Sequence, residues 1–225
     1  MLKVGLTGGI ASGKSVVGDM FLSLGAHLLQ ADRLAHELMN PGEPVYNEVV
    51  RHFGQEILNS DGSISRAKLA ELAFGTSTDG AQTVSRIDEL NRIVHPAVIR
   101  SQEEWMQAIG IQDPHAVAIV EAALILEAGA GKRFDRLVVV TCNPEQRAGR
   151  FATRQKIDFE RAKKEVERRM AAQLPDEEKV KAADHIIDNS GSLEQTRQQV
   201  RSVWEKLRAA AILQPSRDIR SSSLS

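Results

Sequence analysis

The chain has 225 residues, 42% of them hydrophobic and 26% charged, with a net charge of −1. This is the composition of a globular protein with room for one sizeable core, or a core and a small insertion. The near-neutral balance gives no overall attraction to nucleic acid or to an anionic membrane, so any phosphate binding must come from local charge.

Cys142 is the single cysteine, which excludes an intramolecular disulfide; this fits a reducing compartment. The thiol reads most simply as a small buried residue at a strand end. The N-terminal run MLKVGLTGG is too short in apolar residues for a signal peptide. No segment approaches the ~20 apolar residues of a membrane span. The expectation is a soluble, cytoplasmic protein.

Leu2 to Thr7 reads as a short buried strand, followed by a glycine-rich turn and a helix from about Gly13 to Leu24. Gly25 stands where a helix-terminating glycine belongs. Ala26 to Gln30 is a second apolar run closed by Ala31-Asp32, which completes a β-α-β unit with a parallel pair. From Arg33 to about Ile109 only helical spacing is found, in RLAHELM, PVYNEVVRHFG, SRAKLAELAFG and VSRIDELNRIVHPAVIRSQEEWMQAI. Pro96, inside the last of these, is expected to kink or break its helix.

Strands return at His115–Val120 and Leu137–Thr141. Pro144 opens a charged helical stretch to Lys181, His185–Asp188 is a last short strand, and a helix runs from about Ser192 to Ala211. The polar tail over 212–225 is expected to be disordered. Strands alternating with helices predict an α/β fold with a parallel sheet. The helical block after the second strand is too long for a crossover and reads as an inserted subdomain. Ligands of such sheets bind beyond the carboxyl ends of the strands.

The residues Gly8-Gly9-Ile10-Ala11-Ser12-Gly13-Lys14-Ser15 fit G-x-x-x-x-G-K-[ST], between a strand and a helix as that motif requires. Glycines let successive N–H groups turn inward around an anion, and the following helix adds the positive end of its dipole. Lys14 can reach the β- and γ-phosphates, and Ser15 offers a hydroxyl to Mg²⁺. The loop therefore predicts a nucleoside triphosphate. Glu121, ending AVAIV, is the nearest candidate for a second carboxylate at the metal, with Glu127 six residues on.

Asp32 could accept a proton from an attacking hydroxyl or could cap a helix beginning at Arg33; spacing leaves both open. Arg147, Arg150 and Arg154 share one helical face. They form either a solvated surface or a flap that closes on transferring phosphate charge. Trp105 and Trp204 read as partly buried core residues.

Taken together, GLTGGIASGKS, QAD, HP, EAALILEAG, the arginine series ending RRMAAQ, and KAADHIIDNSG resemble the dephospho-CoA kinase family, in the family's order, over about residues 1–208. The resemblance implies a nucleotide-kinase-like parallel sheet with flanking helices. The core would lie at 1–32 and 110–208, with a helical acceptor-binding insertion at 33–109 and an arginine-bearing lid at about 145–172. It implies transfer of the γ-phosphate of ATP, with Mg²⁺, to the 3′-hydroxyl of dephospho-CoA.

Asp32 matches the family's general base; Gln30 stands where the family often has an acid. Lys14, Arg150 and Arg154 would meet the transferring charge. Gly8 to Val16, Arg169 and Asn189 would bind the nucleotide, with Ser15 at the metal. Arg154-Gln155 replaces the frequent RD, and Ala123-Leu124-Ile125 replaces a PLL-type segment.

The expected partner is the small-molecule acceptor, with neither nucleic acid nor membrane, and the expected state is a monomer or weak homo-oligomer. A regulatory GTPase would need N-K-x-D, which is absent. Another small-molecule kinase, or an ATPase acting on nucleic acid, fits the long insertion or the neutral charge less well.

Overall fold

The central strands are largely apolar because both of their faces are covered. Every residue of β3 (Val117–Glu121) is buried, and so are all but one of β1 (Leu2–Gly8). The structure, a computed structural model, describes residues 1–75 and 85–214. With β2 (His27–Gln30), β4 (Arg136–Thr141) and β5 (His185–Asp188), these strands form one sheet in the order β2-β3-β1-β4-β5.

β1 pairs in parallel with β3 and β4, and β4 in parallel with β5. In this register Leu6 stands beside Glu121 and Gly8 beside Val140. The fold is therefore the expected α/β parallel sheet with flanking helices.

The chain divides into two compact units. One comprises Met1–Leu29 and the chain from Met106 onward; the other is Gln30–Trp105. In the sheet unit, α1 (Lys14–Ser23) carries Val17 and Phe21 into the core. α9 (Leu193–Leu213) starts on a capping box between Ser192 and Gln195 and buries Thr196, Val200, Val203, Trp204, Leu207 and Ala211 along one stripe. Between β4 and β5 come α6 (Pro144–Gln155), α7 (Phe159–Ala171) and α8 (Asp176–Lys181).

The second unit is helical. It contains α2 (Ala31–Leu38), α3 (Pro44–Phe53), α4 (Arg66–Phe74) and most of α5 (Ile87–Gln112). Val45, Val49 and Phe53, four residues apart on α3, join Ile57, Leu69, Val94, Ala97 and Val98 in a separate core. Its only bridge among the described residues is the isolated Leu58–Ile64 pair.

Four sequence expectations are corrected. α5 runs through Pro96 without a break. Burial of Val94 and Val98 beside it, at roughly 1.5–3 kcal/mol each, offsets the ~3 kcal/mol cost of an interior proline. β3 begins at Val117, not His115, because Asp113 holds the preceding residues in a turn: its carboxylate accepts from the His115 N–H and its carbonyl from the Ala116 N–H.

α2 begins at Ala31, not Arg33, so Asp32 lies within its first turn and is not its cap; the N-cap is Gln30, whose side chain makes no capping bond. Finally, α9 extends through Leu213, past the expected end at Ala211. The run of alanines there favours helix. The remainder of the expected tail lies outside the described residues.

Candidate active site

The phosphate loop leaves β1 at Gly8 and enters α1 at Lys14. Gly13, at the helix entrance, has φ +93, a left-handed conformation that glycine adopts without steric cost. It also has no room for a side chain, because a methyl group there would overlap the Asn189 amide nitrogen. Ala11 takes a left-handed conformation too, at φ +54. The Lys14 ammonium lies back over the loop, donating to the carbonyls of Gly8 at 2.9 Å and Gly9 at 3.1 Å.

The loop is held from the far half of the chain. Asn189, buried just after β5, donates its Nδ2 to the Ser12 carbonyl at 2.8 Å, and its Oδ1 accepts from the Thr196 hydroxyl at 3.0 Å. Its backbone N–H bonds to the Thr141 carbonyl. Arg150 of α6 spans the same junction, with Nη1 donating to the Ser12 carbonyl at 3.3 Å and Nη2 to the Asn189 carbonyl at 2.8 Å. Gln146 and the Asn143 N–H tie the start of α6 to Ser190. Val16 is exposed and lines a cavity of about 370 Å³ between α1 and α9.

The Ser15 hydroxyl donates to the Glu121 carboxylate at 2.7 Å. Glu121 is the last residue of β3 and is buried. Of the two acids considered from sequence, it is the one brought to the serine. Glu127 is engaged elsewhere: it pairs with the fully buried Lys179 at 2.9 Å and accepts from the Leu174 N–H at 3.1 Å. Ser15 and Glu121 are hard oxygen donors that suit Mg²⁺, which usually binds through one or two protein oxygens together with substrate phosphates. Among the described residues there is no cluster of three or more His, Cys, Asp or Glu that would form an all-protein cage.

The three arginines of the α6 face meet different surroundings. Arg147 is wholly buried, with Nε on the Cys142 carbonyl at 3.0 Å and Nη2 paired with Asp176. Arg150 is half-buried at the loop, and its Nη1 also lies 3.1 Å from the Cys142 sulfur. Burial pushes the Cys142 thiol up, and the positive charges of Arg150 and Arg147 oppose that shift.

Arg154 is exposed and stacks over the Phe151 ring at 5.5 Å, while Arg169 of α7 stacks over the same ring at 5.4 Å. Arg169 also pairs with Glu165 at 2.6 Å. Hydrogen bonds from Arg168 and then Arg169 hold the Glu165 carboxyl down at about 2. Phe151 packs with Ile10, Ala162 and Val166, so the tip of the phosphate loop is part of the apolar contact between α6 and α7.

Asp32 is exposed in the helical unit, on the first turn of α2. An acid there is favoured by the helix dipole. Its charge raises the pKa of His36, against the larger lowering caused by burial and Arg66.

The structure thus brings Arg150 and Asn189 to the loop, and Ser15 to Glu121. The roles of Arg147, Asp176 and Lys179 have no local sequence signal, because their partners lie 29 to 52 residues away.

The family model for dephospho-CoA kinase matches residues 2–195. The dephospho-CoA kinase of Aquifex aeolicus is 40% identical over 207 residues, covering 92% of this chain and 98% of that protein. That of Syntrophotalea carbinolica is also 40% identical, over 92% of each. Among solved structures, a Thermus thermophilus protein matches with a TM-score of 0.72 at 31% identity, over 91% of this chain and 96% of that one. Dephospho-CoA kinase from Campylobacter jejuni matches with a TM-score of 0.64 at 25% identity, over 92% and 97%. With a phosphate loop of full motif, held as described, and a family match along nearly its whole length, the chain belongs to the dephospho-CoA kinase family.

Proposed function

We propose that this protein transfers the γ-phosphate of ATP to the 3′-hydroxyl of dephospho-CoA, giving coenzyme A and ADP, the last step of coenzyme A biosynthesis. The observation that carries the reading is the phosphate loop itself. It is fixed at Ser12 by Asn189 and Arg150, with Ser15 bonded to Glu121, in a chain of this family. The loop from Gly8 through Ile10, Ala11, Ser12 and Gly13 to Lys14, Ser15 and Val16 receives the β- and γ-phosphates. Asn189 and Arg169 border the nucleotide.

Lys14 is a compact point charge on a flexible stem, already beside the loop carbonyls, and moves to the phosphates when they bind. Arg150 is poised at the loop, and Arg154 stands one helical turn further along α6. Together they meet charge on the transferring group. Ser15 and Glu121 would hold Mg²⁺, which would supply charge neutralisation on the triphosphate.

Asp32 is assigned as the base that takes the proton of the acceptor hydroxyl. It follows the last residue of β2 by two positions and, with no capping bond to make, has its carboxylate exposed. The helical unit Gln30–Trp105 is assigned to the acceptor, and α6 and α7 to a lid. No helix among the described residues is long and apolar enough to cross a membrane, and we place the enzyme in the cytoplasm.

The test is a coupled ADP-release assay with dephospho-CoA, AMP, adenosine and shikimate as acceptors. Dephospho-CoA is expected to be turned over in wide preference to the others. Equal turnover of AMP would overturn the assignment.

A further inference from the structure

Arg147 is the largest fully buried side chain in the structure, and none of the roles assigned above uses it. Two of its nitrogens are committed. Nε donates to the Cys142 carbonyl, just beyond the end of β4, and Nη2 pairs with Asp176 in the first turn of α8. Its third nitrogen, Nη1, is buried and has no hydrogen-bond partner. That nitrogen lies against Gly9, the second residue of the phosphate loop. A methyl group on Gly9 would overlap Nη1 and would come within 3.2 Å of the second Asp176 oxygen. The guanidinium thus fills the space that a side chain at Gly9 would need.

We propose that Arg147, locked by Asp176, is a positioning residue for the phosphate loop: it sets Gly9 against the end of β4 and against α8, and so determines how tightly the loop holds a nucleoside triphosphate. Three features support this. The fork is rigid, because a guanidinium fixes its donors in one plane. A buried charged donor with an unmet hydrogen bond is retained only where something outweighs its cost. Here it places positive charge directly behind a loop that receives anions. The neutralising carboxylate is also the less buried partner, with Asp176 exposed at 33% and Arg147 at 1%, so solvent screens the acid more than the base.

Ile10, the next residue, is seated in the apolar contact with Phe151, Ala162 and Val166. Gly9 and Ile10 together therefore tie the loop to α6, α7 and α8. The inference rests on the reading that this loop holds nucleoside phosphates and not on the identity of the acceptor. Its test is accordingly made without acceptor.

Affinity for ATP and for ADP is measured by titration calorimetry on the full chain for the wild type, Arg147→Met, Arg147→Lys, Asp176→Asn and the double variant Arg147→Met/Asp176→Asn. Methionine fills the space without charge or fork. Lysine keeps the charge and loses the fork, and serves also if the methionine variant fails to fold. Each single variant is expected to weaken ATP binding about tenfold, the effect of losing about 1.4 kcal/mol of binding free energy. The double variant is expected to be no weaker than Arg147→Met alone, because the pair acts as a unit.

In steady state, KM for ATP should rise and KM for the acceptor should not. A loss of folded protein alone would lower Vmax and leave both KM values unchanged. The proposal is overturned if Arg147→Lys or Arg147→Met binds ATP like the wild type. It is also overturned if Asp176→Asn tightens binding, which would mean that the charge alone matters, or if the two losses multiply.

Discussion

Replacing Asn189 with alanine removes two buried hydrogen bonds, one to the Ser12 carbonyl at 2.8 Å and one from the Thr196 hydroxyl at 3.0 Å. Neither partner is left bare. Ser12 still accepts from Arg150 at 3.3 Å, and Thr196 still donates to the Ser192 carbonyl at 3.2 Å. The penalty is therefore the net value of two neutral bonds, about 1 kcal/mol each, without the larger cost of orphaned groups. A loss of about 2 kcal/mol in a chain of this size lowers Tm by about 4–8 °C.

Aspartate is the sharper test. It keeps the acceptor facing Thr196 but turns an oxygen toward the Ser12 carbonyl, so two acceptors meet inside the protein. The order of stability should be Asn above Ala above Asp, and KM for ATP should rise in the same order, about tenfold for alanine if the loop shifts by a fraction of an ångström. Thermal melts with and without ATP, together with initial rates, check both. If Asn189→Ala melts within about 1 °C of the wild type with unchanged KM, the bond to Ser12 is not what holds the loop.

Asp32→Asn should lower kcat by ~10²–10⁴ and move Tm little, because Asp32 makes no capping bond; a variant with full kcat and a lower Tm would remove it from the chemistry. Lys179→Met leaves Glu127, only 16% exposed, without its cation, and breaking such a pair costs about 3–5 kcal/mol. Tm should fall by at least about 6 °C, and most of this should return in Lys179→Met/Glu127→Leu; no recovery in the double variant would mean that the loss is one of packing.

The Glu165 carboxyl, held at about 2 against an ordinary 4.5, is stabilised in its charged form in the folded state. Its contribution is present above pH 4.5 and is lost as pH falls toward 2. Nuclear magnetic resonance titration should place its midpoint near the lower value, and Glu165→Gln should flatten the acid limb of stability; a midpoint near 4.5 would show that Arg168 and Arg169 do not hold it.

Local signals in the sequence locate the glycine-rich loop and the elements around it. A full loop motif, a strand before it and a helix after it lie within 24 residues, and the span His185–Asp188 agrees at both ends. Boundaries failed where a longer-range or subtler effect decides them. Pro96 should interrupt a helix on propensity, yet α5 is carried through by side chains buried on either side of it. Spacing leaves Asp32 open as a cap for a helix beginning at Arg33, but Ala31 is already helical.

The arginine spacing of α6 correctly put three side chains on one face but could not divide them. Arg147 becomes a buried structural charge only through an acid 29 residues later, and Arg154 stays in solvent against Phe151. Periodicity reports which way a side chain points. It does not report what the rest of the chain brings to meet it.

The strand order has a consequence for how the protein is made. β1 precedes every other strand in the chain, but it sits at the centre of the sheet, and its neighbours β3 and β4 begin at residues 117 and 136. At about 5–20 residues per second, an apolar strand waits on the order of ten seconds before either edge can pair. During that interval the contiguous segment 30–105, whose apolar residues meet one another, can collapse first. The nucleotide loop has to wait longer, because its clamp at Asn189 is translated only after all five strands. A nascent chain halted before β5 should therefore show protease resistance in its helical segment and no ATP binding. Capacity for the ligand should appear in a single step once β5 and α9 have cleared the exit tunnel.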